Sequence, residues 1–161
     1  MARPQLGVSL AVAATITVLA AVASGLFLIG SPETERGRRI DARRVQDLDV
    51  LAHAIDCYWT LRGTLPSDLD SLASQMEQLS NERPIDGRCR PAGMADPETD
   101  APYRYRVLSA STFELCATFA EPSPQDPAAA PRRADDVART WTHEAGEQCF
   151  TVAATEISLD P

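Results

Sequence analysis

Apolar residues follow three kinds of spacing along this chain, and each marks a different element. From residue 6 to residue 30 there is no charged side chain, and these 25 positions are rich in Ala, Val, Leu and Ile. At 1.5 Å per helical residue they reach across a bilayer core of ~30 Å, so residues 1–32 are predicted to be a transmembrane anchor. Gly30-Ser31-Pro32 interrupts the run. Beyond it Leu48, Leu51, Ile55, Tyr58 and Trp59 recur at helical spacing and build one apolar face. A long amphipathic helix is predicted over residues 33–61, closed by Gly63, with Thr64-Leu65-Pro66 as a turn.

A shorter helix follows. Ser67 is read as its N-cap, with Asp68 and Asp70 in the first turn, and Leu69, Leu72, Met76 and Leu79 as its apolar face over residues 67–79. Residues 80–102, with Pro84, Gly87, Pro91, Gly93, Pro97 and Pro102, read as loop. The spacing then switches to alternation. Tyr103, Tyr105 and Val107 interleave with arginines, and Phe113, Leu115, Ala117 and Phe119 interleave with polar residues after Ser109-Ala110-Ser111. That is a β-hairpin with one apolar face, and a turn centred on Ala110 sets Arg106 opposite Glu114. Residues 121–146 are rich in Pro and Ala and read as a flexible loop. A last strand is predicted over residues 148–153, with Phe150 and Val152 on its inner face. The fold class is therefore α+β: an anchor helix, a long helix, and a small antiparallel sheet packed on it. Residues 33–161 form the one folded domain.

Charge is unevenly spread. Of the formal net charge of −8, residues 31–44 contribute five Arg against three acids, whereas residues 45–161 hold nine Arg against twenty acids. An acidic domain excludes nucleic acid as a partner, because phosphate contacts need clustered cations. Arg36, Arg38, Arg39, Arg43 and Arg44 follow the apolar run directly. They are read either as a solvated helix start or as contacts to anionic lipid headgroups. By the positive-inside rule they place the domain in the cytoplasm.

The four cysteines argue the other way. Cys57, Cys89, Cys116 and Cys149 make an even set with no C-x-x-C, behind an export-like segment. Cys116 and Cys149 both fall on the outer faces of their strands and can meet if those strands are neighbours. That leaves Cys57 for Cys89. Free buried thiols in a reducing compartment are the alternative. We follow the cysteines and expect a single-pass protein of the plasma membrane with its domain outside the cytoplasm. Ala21-Val22-Ala23 has the form of a signal-peptidase site. The apolar run is longer than the 7–15 residues of a signal h-region, so a retained anchor is the reading.

The residues at the end of the long helix carry a resemblance. Asp47-Leu48, Ala54-Ile55-Asp56 and Tyr58 lead into Gly63-Thr64-Leu65-Pro66-Ser67, and Asp96-Pro97 leads into Pro102-Tyr103 and Tyr105. In order and spacing this stretch, residues 47–109, resembles the type IV pilin superfamily and especially the major pseudopilin of type II secretion. The resemblance implies a pilin-like fold whose helix-to-sheet corner is built by Tyr58, Gly63, Pro66, Asp96, Pro97, Tyr103 and Tyr105. It also implies a structural role beside other pilin-like subunits or secretion-system proteins. The N-terminus departs from the pattern. Gly7 is followed by Val8-Ser9-Leu10-Ala11-Val12, without the family's aromatic residue and with Val12 in place of its Glu. The resemblance also brings a calcium site in a C-terminal loop, but Asp126, Asp135 and Asp136 lack ligand spacing, and no cofactor is expected.

Nothing in the sequence points to catalysis. His53 and Cys57 stand four apart on one helix face, and His143 is the only other histidine. They read as a surface His beside a structural Cys rather than as a metal site or a nucleophile–base pair. There is no phosphate-binding Gly loop and no Ser-nucleophile motif. The alternative to the pilin-like reading is a signal-anchored extracytoplasmic binding or sensor module, with its ligand held near residues 141–146.

Overall fold

The computed structural model describes residues 3–29, 32–82, 85–91, 93–123, 140–157 and 159. The chain divides into two units, residues 1–36 and residues 37–161. Helix α1 spans Arg3–Ile29. Its described side chains over residues 7–22 are all exposed, with Val8, Leu10, Ile16, Val18 and Leu19 each at 61–65%. The expected transmembrane span needs correction: among the described residues, no helix is long and apolar enough to cross a membrane.

The second unit is α+β. Helix α2 spans Pro32–Arg62 and helix α3 spans Leu69–Glu82. Strands β1 (Arg104–Val107), β2 (Thr112–Phe119) and β3 (Gly146–Ala153) form one antiparallel sheet in that order. The predicted stripes become the core. Leu48, Leu51 and Ile55 of α2, Leu72 and Met76 of α3, and Phe113 and Leu115 of β2 are fully buried together. Fully burying one such side chain contributes about 1.5–3 kcal/mol.

Local signals mostly end these elements where the sequence places them. Gly63 takes φ +70° and its N–H donates to Trp59 O at 2.7 Å, closing α2. A residue with a Cβ pays for that left-handed conformation. The start of α3 differs from expectation. Asp68, not Ser67, is the cap: its Oδ1 accepts the Ser71 N–H at 2.7 Å. The Ser67 and Ser71 hydroxyls both donate to its other oxygen. A carboxylate outcompetes a hydroxyl for a helix N-terminus because it meets the dipole with charge. The Ser71 N–H accordingly holds the Asp68 carboxyl below its usual range.

The hairpin register is as predicted, with Arg106 opposite Glu114 and an ion pair of 3.0 Å between them. Its apolar face stops short, however: Val107, the last residue of β1, is 43% exposed. Within the expected loop of residues 121–146, residues 124–139 lie outside the described residues. The two ends are tied together: Ser123 N donates to His143 O at 2.9 Å, and His143 N donates to Ser123 Oγ at 3.0 Å.

Candidate functional site

Two disulfides frame the domain. Cys57 of α2 is bonded to Cys89 in the short 3-10 turn Gly87–Cys89, and both are fully buried. Cys116 and Cys149 stand directly opposite one another on β2 and β3, Cα atoms 4.1 Å apart, and are bonded on the outer face of the sheet. Both pairs are those expected, Cys116–Cys149 from the facing of the strands and Cys57–Cys89 as the pair that remains. His53, Cys57 and Cys89 cluster closely enough to suggest a metal site, as do Glu114, Cys116 and Cys149. In each cluster two of the three donors are tied up as a disulfide, and a metal ligand must be a free thiolate.

Between the sheet's outer face and the loop before β1 lies an open groove of about 390 Å³, lined in part by Arg44, Asp96, Tyr103, Arg104, Phe119 and Glu147. Arg44 is among its lining residues. The sequence reading placed this residue in solvent or at lipid headgroups; the structure buries it, at 4% exposed. Its Nε and Nη2 donate to the two carboxylate oxygens of Asp96, Nη1 donates to Asp41 at 2.9 Å, and Nη2 also reaches Glu98 at 3.1 Å. A planar fork of donors suits this bidentate geometry in a way an ammonium does not. The hydrogen bonds to Asp96 hold the guanidinium even more firmly protonated than usual.

Asp96 has two jobs. Its Oδ1 accepts the N–H groups of Glu98 and Thr99, both at 3.0 Å, shaping the Asp96-Pro97 turn. The Arg44 guanidinium, and secondarily those backbone donors, hold its carboxyl far below the ordinary carboxylate range. Asp41 extends the network: its carboxylate accepts the N–H of Ala120 and of Glu121, pinning the end of β2 to α2. Next to it, Asp47 accepts the Tyr103 hydroxyl at 3.1 Å and Arg43 Nε at 3.1 Å. Burial pushes the Asp47 carboxyl up, against both partners. Burial, reinforced by the Asp47 charge, pushes the Tyr103 phenol up as well. Gly93, at φ +65°, passes so close that any Cβ there would collide with the Asp47 carboxylate.

The corner residues inferred from the resemblance fall into two groups. Tyr103, Asp96 and Pro97 surround this Arg44 node. Tyr58, Gly63, Pro66 and Tyr105 gather at the other end of α2, where the Tyr105 hydroxyl donates to Pro66 O at 2.9 Å and the Tyr58 hydroxyl donates to Gln75 at 2.9 Å. Residues 141–146, the suggested ligand position, are engaged internally. Trp141 Nε1 donates to Asp49 at 3.1 Å, and His143 stacks on Phe119 at 3.6 Å between ring centroids. Asp126, Asp135 and Asp136 lie outside the described residues.

Arg44 was the residue that sequence reasoning misplaced. One signal for it was in the text: Asp41, Arg44, Asp47, Leu48 and Leu51 continue the buried helical stripe toward the N-terminus with charged members. Chemically the groove offers ion pairs and hydrogen bonds, such as Arg104 with Glu147 at 3.1 Å. No family model, curated protein or solved structure matches the chain.

Proposed function

We propose that this chain is a non-enzymatic, membrane-anchored subunit with a pilin-like α+β domain outside the cytoplasm. Its role is structural or interactive, beside other pilin-like subunits or secretion-system proteins. The observation that carries the reading is the chemistry of α1. Its side chains over residues 7–22 are uncharged and exposed all round. Its hydroxyls turn back onto their own helix: Thr15 donates to Ala11 O at 2.9 Å, Thr17 to Ala13 O at 3.0 Å and Ser24 to Ala20 O at 2.8 Å. A helix apolar on every side, with its hydroxyls satisfied internally, suits lipid or a bundle of like helices rather than water. The two disulfides favour an oxidising compartment.

The test is non-reducing mass spectrometry of protein extracted from the membrane fraction and trapped with a thiol-blocking reagent. Both disulfides intact, in a fraction that resists alkaline extraction, is the expected result. An N-terminus at Val8 would identify a pilin-type processing event. Four free thiols, or recovery in the soluble fraction, would sink the reading.

The groove beside Arg104 and Glu147 favours a second reading, an anchored binding module. Arg104→Glu distinguishes the two: loss of a partner with the disulfides intact favours the module.

A further inference from the structure

Among the described residues, strand β3 is an edge strand with an open side. The parity of the ladder shows which residues face outward. Ala154 N donates to Ser111 O at 2.7 Å, and the narrow Cys116–Cys149 pair, 4.1 Å between Cα atoms, marks the non-hydrogen-bonded positions. Even-numbered residues of β3 therefore bond to β2. The N–H and C=O groups of Glu147, Cys149, Thr151 and Ala153 point away from the sheet, and among the described residues nothing pairs with them. The opposite edge is handled differently. β1 has four residues, and its entry is covered by an Ala95–Pro102 bridge and by Tyr103 N donating to Met94 O at 3.0 Å. β3 has eight residues with no Pro and no Lys or Arg, the protections that exposed edges usually carry.

We propose that the β3 edge pairs antiparallel with β3 of a second copy of this chain, with Phe150 on the two-fold axis. This goes beyond the anchored-subunit reading and does not depend on it. The register is self-complementary. Centring on Phe150 sets Glu147 opposite Ala153 of the second copy and Cys149 opposite Thr151. Every outward backbone group then finds a partner, about eight hydrogen bonds in all. The strand's one charged residue, Glu147, faces a small neutral residue, and the two copies of Glu147 end about 20 Å apart. Phe150 is half-buried and rests edge-on against Trp141 and Phe119. On the axis it falls at a close-spaced position and meets its own copy, an aromatic pair across the new ladder. The result is a continuous six-stranded sheet. A one-residue slip would leave alternate backbone groups unpaired, and a slip that keeps the parity would leave Glu147 or Ala153 without a partner, so the register centred on Phe150 makes the most hydrogen bonds.

The test uses the full chain in detergent, with oligomeric mass followed over a dilution series by sedimentation. Ala153 is exposed and its side chain faces no core. Ala153→Glu places a carboxylate opposite Glu147 of the copy and is expected to weaken the dimer at least tenfold. Ala153→Lys places a cation there and is expected to tighten it several-fold. Ser109→Glu, the same charge change at the exposed hairpin tip, should leave the dimer unchanged. Hydrogen exchange supplies the second readout: the amides of residues 147, 149, 151 and 153 should become protected only as the dimer forms. A monomer at every concentration, a dimer indifferent to the charge at residue 153, or those amides already protected in the monomer would each overturn the proposal.

Discussion

Arg44 and Asp96, 52 residues apart in the chain, meet through two parallel hydrogen bonds in the interior. The pair ties the first turns of the domain's long helix to the loop that launches its sheet. Asp41 and Glu98 complete the shell, so one cation is surrounded by three acids.

Removing the cation should therefore cost more than removing one acid. Arg44→Met leaves Asp41 and Asp96 buried and uncompensated, and stability should fall by about 3–5 kcal/mol. Arg44→Lys keeps the charge but loses the fork, and should fall between that variant and the parent. Urea unfolding under non-reducing conditions checks the order; a neutral Arg44→Met would refute the assignment.

Stability should also fall on the acid side, with a sign set by two groups. Asp96 titrates well below its unfolded value of ~3.9. Its contribution is therefore complete above the unfolded value and lost as pH drops below it toward the folded one. Asp47 is raised by burial, so its contribution runs the other way: present at low pH and lost as pH rises through the folded value. Asp96→Asn should flatten the loss of stability below about pH 4, where Asp96 takes up its proton, and Asp47→Asn should steepen the acid loss above it, where the raised Asp47 protonates in the folded state. Urea midpoints across that range decide.

The disulfides close loops of nearly equal length, with separations of 32 and 33 residues. The chain-entropy model then assigns each about 3.7 kcal/mol. Burial separates them. Cys57 and Cys89 are fully buried, whereas Cys149 is exposed. Replacing the first pair by alanine should cost about 1–2 kcal/mol more than replacing the second, because it also opens space in the core. Denaturation of the two double variants measures the difference.

Gly93→Ala should behave like a lesion in the Asp47–Tyr103 contact. The new methyl meets the Asp47 carboxylate, and the φ of +65° adds backbone strain. A loss of about 1–3 kcal/mol is expected. Tyr103 should also titrate closer to an ordinary tyrosine, which ultraviolet absorbance reads directly.

What the sequence alone determined is whatever depends on spacing. The periods of α2 and α3, the alternation of β2, the Arg106–Glu114 register and the facing of Cys116 and Cys149 were all legible, because neighbours along an element occupy predictable faces. Asp68 as the cap of α3 was missed by one position, since Ser67 and Asp68 are both good caps and only the local geometry chooses between them. The tertiary structure alone decided the fate of the charged residues. A cluster of five arginines reads as a solvated face; spacing puts Arg44 in line with the buried stripe, but spacing alone does not say that a charge there leaves water. It is buried because Asp96, far along the chain, is held by its own turn at the height of that helical position, and a charge can leave water only where partners already wait for it. The same holds for the outer side of β3. Alternation says which side chains face the core, but only the assembled ladder says which backbone groups are left without a strand.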